Sequence, residues 1–84
     1  LKRFIYLISP KKINKNFYHN LTKILKYKKI KYFQLRLKKI PKTEIVKTAK
    51  KIKKITKKFN VKLIINDNPQ IAKKVNADGC HLGQ

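Results

Sequence analysis

The chain has 84 residues and a mass of 10.0 kDa, room for one small domain or a piece of a larger one. Lys and Arg number 24 against three acids, a formal net charge of +21, yet 42% of the residues are hydrophobic, which supplies a core and excludes a disordered basic tail. No apolar run approaches the ~18 residues of a membrane span, and no charged-then-apolar leader ending in small residues supports export.

Residues 4–8, Phe4-Ile5-Tyr6-Leu7-Ile8, form a short apolar run closed by Ser9-Pro10, which predicts a buried strand. Across residues 14–29 the apolar positions Phe17, Leu21, Ile24 and Leu25 trace the stripe of a helix. Residues 31–38 begin as the apolar pair Tyr32-Phe33 and end in strict alternation. A strand there carries Gln34, Arg36 and Lys38 on one face and stops before Pro41.

Residues 43–59 hold the clearest pattern, with Ile45, Val46, Ala49, Ile52, Ile55, Thr56 and Phe59 in a three-four rhythm and Lys on the opposite face. Thr43 is the expected N-cap, and Glu44 sits favourably in the first turn. Residues 61–65 form the next strand, ended by Asn66-Asp67-Asn68-Pro69. Residues 69–75 form a short helix with Pro69 at its start, where the lost N–H costs little. Residues 78–82 are a fourth strand.

Strand and helix alternate three times before the last strand, which predicts an α/β fold of right-handed βαβ units on a parallel sheet. Four strands cannot close a barrel, and a (β/α)₈ TIM barrel needs about 200 residues or more. The order βαβαβαβ is therefore expected to be its first half. A doubly wound four-strand domain is the small alternative. The chain starts at Leu1 with no Met, and ends directly after Gly79-Cys80-His81-Leu82-Gly83. Residues 1–84 are accordingly expected to be the N-terminal part of a single barrel domain.

In parallel α/β folds ligands meet the carboxyl ends of the strands. Those ends carry Ser9, then Gln34, Arg36 and Lys38, then Asn66 and Asp67, then His81 and Gln84. Two cations and an amide on one strand face call for an anionic ligand, a phosphate or diphosphate, because the chain has so few acids to meet them. A wet edge strand explains the same pattern without a ligand. Asp67 suits Mg²⁺, which takes few protein oxygens and completes its shell with water and phosphates; a plain Asx turn before Pro69 is the other explanation. Asp78 belongs to the turn entering the last strand. Cys80 and His81 face opposite sides of a strand, so they cannot share an ion, and no Cys/His zinc spacing exists. Cys80 is expected to be a small buried hydrophobe, His81 a satisfied barrel histidine, and His19 a surface residue. The single Cys precludes an internal disulfide and fits a reducing cytoplasm.

The charge has no address. Of the basic residues 22 are Lys and only Arg3 and Arg36 are Arg, and Lys, Ile and Asn fill 41 of the 84 positions. Lys occurs in every segment, at positions a helix presents to water, whereas nucleic-acid binders concentrate charge in a patch with Arg for bidentate contacts. A solvated surface is the expectation, with salt-sensitive stickiness at low ionic strength.

Four pieces in order resemble the thiamine-phosphate synthase family. They are Tyr6-Leu7-Ile8-Ser9, Gln34-Leu35-Arg36-Leu37-Lys38, Leu63-Ile64-Ile65-Asn66-Asp67 and Ala77-Asp78-Gly79-Cys80-His81-Leu82-Gly83-Gln84. The resemblance implies a (β/α)₈ barrel enzyme that joins an aminopyrimidine methyl diphosphate to a thiazole phosphate, giving thiamine phosphate and diphosphate. It implies that Gln34, Arg36, Lys38 and Asn66 grip the pyrimidine diphosphate, that Arg36 and Lys38 act catalytically on the departing diphosphate, and that Asp67 is one Mg²⁺ ligand. A second Mg²⁺-binding Asp is expected two residues beyond Gln84. The implied partners are these small-molecule substrates, with no specific nucleic acid and no membrane, in the cytoplasm. A related barrel, such as a thiazole tautomerase, is the alternative, and a basic nucleic-acid-binding module is the remote one.

Overall fold

The computed structural model describes residues 5–27 and 29–83. Phe4, at the start of the expected first strand, and Gln84, at the end of the last motif, lie outside the described residues. Among the described residues seven elements alternate: β1 (Ile5–Ile8), α1 (Lys15–Leu25), β2 (Ile30–Leu35), α2 (Lys42–Lys58), β3 (Lys62–Asn66), α3 (Pro69–Lys74) and β4 (Gly79–His81). The strands form one parallel sheet in the order β1-β2-β3-β4. A doubly wound sheet reverses its strand order at a switch point. Sequential order excludes that alternative.

The three helices bury their apolar stripes on one face of the sheet. Leu21 and Leu25 of α1, Ala49 and Ile52 of α2, and Ile71 and Ala72 of α3 share a core with Phe33 and Leu35 of β2 and Leu63 and Ile65 of β3. Side chains alternate across a strand, so the residues between these point to the other face. There the register aligns Tyr6, Tyr32 and Lys62 in one row, and Ile8, Gln34, Ile64 and Gly79 in the next. Asn66 and His81 pair beyond them. Among the described residues no helix covers this face, and Tyr6, Ile8 and Tyr32 are about half exposed on it.

Several boundaries differ from expectation for physical reasons. β1 is not a buried strand: Ile5, Tyr6 and Ile8 are exposed and only Leu7 packs toward the core, because β1 is a sheet edge with one face uncovered. α1 stops at Leu25 rather than near residue 29, where its apolar stripe runs out, and Tyr27 is exposed. Its start is capped by Asn14, whose side chain accepts the Phe17 N–H at 3.0 Å.

α2 begins at Lys42, with Pro41 rather than Thr43 at the N-cap. The Pro41 carbonyl accepts the N–H groups of Glu44 and Ile45, both at 3.0 Å, and Thr43 already lies inside the helix. Glu44 occupies the first turn as expected. Pro69 likewise opens α3, and Asn68 caps it by accepting the Ile71 N–H at 2.9 Å. The entry to β4 is fastened by Asp78. Its backbone N–H donates to the Leu63 carbonyl at 2.8 Å, and its Oδ2 accepts the Leu63 N–H at 2.8 Å and the Lys53 ammonium at 3.2 Å.

Candidate active site

A cleft of about 530 Å³ opens at the carboxyl ends of the strands. Gln34, Arg36, Lys38, Asn66, Asp67 and His81 line it, together with Tyr6, Ile8 and Gly83. Of the strand-end residues the sequence singled out, Gln34, Arg36, Lys38, Asn66, Asp67 and His81 meet at one place; Ser9 lies behind the cleft, and Gln84 is outside the described residues.

The second strand does not extend to Lys38. Its ladder ends at Leu35, and Arg36 and Lys38 lie in the segment that follows. The reason lies in the neighbour: β1 ends at Ile8, and past the Ser9 N–H to Gln34 carbonyl bond the one backbone tie between the two segments among the described residues is the Lys38 N–H to the Lys11 carbonyl, too isolated to continue a ladder. The side-chain alternation nonetheless persists past the ladder. Leu35 is buried and Leu37 packs against the core, which leaves Arg36 and Lys38 on the cleft side. Among the described residues neither cation is paired with a carboxylate; the one ion pair is Lys53 with Asp78.

Gln34 is buried at 4% exposure, with its Nε2 donating to the Tyr6 phenol oxygen at 3.3 Å. Tyr6 in turn stacks on Tyr32, ring centroids 5.6 Å apart and planes 20° from parallel. Of the two rings only Tyr6 lines the cleft, held there by its stacking on Tyr32 and its bond from Gln34.

Asp67 sits in the left-handed region, φ 59°. Its Oδ1 accepts the Gly83 N–H at 2.6 Å, its Oδ2 accepts Asn66 Nδ2 at 3.3 Å, and its own N–H donates to the His81 carbonyl at 2.7 Å. The turn-forming role falls to Asn68, which caps α3, so the Asp67 carboxylate is left facing the cleft. A carboxylate has about four lone-pair sites, and Asp67 retains capacity for a hard cation. Among the described residues no three His, Cys, Asp or Glu side chains converge. Mg²⁺ fits Asp67 only as an ion that draws most of its ligands from phosphate oxygens and water.

His81 is exposed on the cleft rather than packed as a barrel histidine. Cys80, on the opposite side of β4, is half-buried against the core, and His19 is exposed on α1. Tyr6, Ile8 and Gly83 are lining residues that sequence reasoning missed. Beyond their places in the first and last motifs, the first two had only their alternation with Leu7, hidden in an apolar run, and Gly83 had nothing that marked it as a lining residue.

Compared with known proteins, the family model described as thiamine monophosphate synthase matches residues 5–84. The chain belongs to the thiamine monophosphate synthase family. It is 58% identical, over 84 residues, to a thiamine-phosphate synthase of Pelagibacter ubique, covering 99% of this chain and 41% of that protein. It is 42% identical to a putative thiamine-phosphate synthase 2 of Aquifex aeolicus, covering 98% of this chain and 44% of that one. The chain thus spans about two-fifths of the length of these relatives. A solved structure, thiamine phosphate pyrophosphorylase from Pyrococcus furiosus, superposes with a TM-score of 0.79 over 94% of this chain and 38% of its own. At 23% identity that likeness shows the fold alone, the TIM-barrel type with parallel strands and alternating helices. Within the family, the motifs that carried the resemblance are the ones whose side chains line the cleft. No helix among the described residues is long and apolar enough to cross a membrane.

Proposed function

We propose that these residues are the N-terminal part of a single barrel domain that acts as a thiamine-phosphate synthase. The reaction condenses 4-amino-2-methyl-5-(diphosphooxymethyl)pyrimidine with thiazole phosphate. The bond between the pyrimidinyl methylene carbon and the diphosphate oxygen breaks, its electron pair leaving with diphosphate. The thiazole nitrogen then bonds to that carbon, giving thiamine phosphate. The observation that carries this assignment is the convergence of Gln34, Arg36, Lys38, Asn66 and Asp67 on one cleft, with neither cation paired to a carboxylate among the described residues.

Arg36 offers a planar fork and Lys38 a point charge to the diphosphate oxygens. Both interactions strengthen as the leaving group accumulates charge, which is the condition for accelerating the step rather than merely binding the substrate. Gln34 and Asn66 orient the pyrimidine diphosphate between them. Asp67 is one protein ligand for Mg²⁺. When bound, the ion supplies further positive charge to the phosphate oxygens. The partners are the two small-molecule substrates, and the cytoplasm, where such phosphorylated intermediates are kept, is the proposed location.

The full-length gene product, given both substrates and Mg²⁺, is expected to form thiamine phosphate and diphosphate. Arg36→Ala is expected to lower kcat/KM at least about 100-fold, the scale seen when one charge-stabilising donor is removed, with an unchanged circular dichroism spectrum. A folded wild-type protein that forms no product from both substrates overturns the synthase assignment and points to a non-synthase barrel. Undiminished turnover in Arg36→Ala overturns the role given to that residue.

A further inference from the structure

β1 and β2 lose their pairing at the edge of the cleft, and one buried hydroxyl spans the place where it stops. The Ser9 N–H donates to the Gln34 carbonyl at 2.9 Å, the last backbone bond before the regular pairing of the two segments stops. Ser9 Oγ then accepts the Arg36 N–H at 2.8 Å and donates to the Pro10 carbonyl at 3.0 Å. Both halves of the hydroxyl are used, and the residue is only 7% exposed. Two residues on, the Lys38 N–H donates to the Lys11 carbonyl at 3.3 Å. Through these ties the segment carrying Arg36 and Lys38 keeps a strand-like alternation without a ladder.

We propose that Ser9 is a positioning residue for the cationic grip: its hydroxyl replaces the absent backbone acceptor and fixes the chain at Arg36, so that Arg36 and Lys38 stand ready for a diphosphate. Ser9 does not itself line the cleft. Its influence runs through the Arg36 backbone. A grip held in place before the ligand arrives loses less freedom on binding, which is where the affinity gain arises. The proposal rests on the synthase assignment for the identity of the natural ligand, and on geometry alone for the placing of the cations.

The test uses the full-length gene product, titrated calorimetrically with inorganic diphosphate and assayed with both substrates. Ser9→Ala is expected to weaken diphosphate binding about tenfold. It is also expected to raise KM for the pyrimidine diphosphate by a similar factor and leave KM for the thiazole phosphate within about twofold. Ser9→Thr, which keeps the hydroxyl, restores both, and amide exchange at Arg36 speeds up in the Ala variant only. If Ser9→Ala does not fold, Ser9→Cys, nearly isosteric but a weak acceptor, carries the same expectation. Faster exchange at Arg36 with unchanged diphosphate affinity overturns the proposal, as does an equal loss in Ser9→Thr. A wild-type protein that binds diphosphate but makes no thiamine phosphate removes the synthase assignment alone; the Ser9 proposal is then decided by the diphosphate affinities. A wild-type protein that binds no diphosphate overturns both.

Discussion

The Asp67 carboxylate owes its orientation to the lack of a side chain at Gly83. A Cβ built on Gly83 would lie 3.0 Å from Asp67 Oδ1, the same atom that accepts the Gly83 N–H at 2.6 Å. An Asp side chain has only two torsions and its backbone is already held in the left-handed region, so it cannot swing clear and keep this bond. Gly83→Ala in the full-length gene product is therefore expected to move the carboxylate by a few tenths of an ångström. Because the bond is exposed, the effect on stability by urea denaturation is expected to stay below about 1 kcal/mol. If Asp67 works in the cleft, kcat/KM falls about tenfold. Equal wild-type and variant kcat/KM would show that function does not depend on this contact.

Asp78 acts between elements, tying the residue before β4 to β3 through Leu63 and to α2 through Lys53. Burial alone would push its carboxyl upward. The Leu63 N–H, the Lys53 hydrogen bond and charge, and the Lys62 charge outweigh that and hold it below its ordinary value. A carboxyl depressed in the folded state stabilises above its unfolded-state value, ~3.9, and loses that stabilisation as pH falls through the lower folded-state value. The urea midpoint is accordingly expected to fall with acidification below about pH 4, with a smaller acid-induced fall in Asp78→Asn. Parallel acid limbs in the two proteins would exclude this tie as their source.

How much was legible in the sequence follows from the same distinction between local pattern and tertiary contact. All seven elements were foreshadowed by hydrophobic period, because each helix buries a stripe and each inner strand a face. Gln34, Arg36, Lys38, Asn66 and Asp67 were legible because polar side chains at strand ends stand out against apolar strands. The end of β2 was not, since side-chain alternation outlasts the ladder when a hydroxyl just past β1 continues the pairing. The start of α2 was not, since a carbonyl at Pro41 performed the task assigned to Thr43. The exposed face of β1 was hidden because an apolar run reads alike whether its second face is covered or open.

For the whole molecule two forces oppose one another. The uncovered face carries Tyr6, Ile8 and Tyr32, 40% to 50% exposed, and β1 and β4 are the edges of the described sheet. Apolar faces and open edges favour association. The +21 charge, spread over a body with a radius of gyration of 12.1 Å, resists it. The Debye length falls from about 30 Å at 0.01 M ionic strength to about 3 Å at 1 M. Repulsion between two copies thus reaches across the whole particle in dilute buffer and hardly past its surface in concentrated salt. Apolar attraction does not weaken with screening. Residues 1–84 alone are therefore expected to sediment as a monomer at about 0.01 M salt and as dimers or larger species near 1 M. Polyanion binding has the opposite salt dependence, since released counterions then oppose it, so the two causes of stickiness separate cleanly. A monomer at both salt concentrations, with a sharp cooperative melt, would mean that the open face is self-sufficient and would count against these residues being half of a barrel.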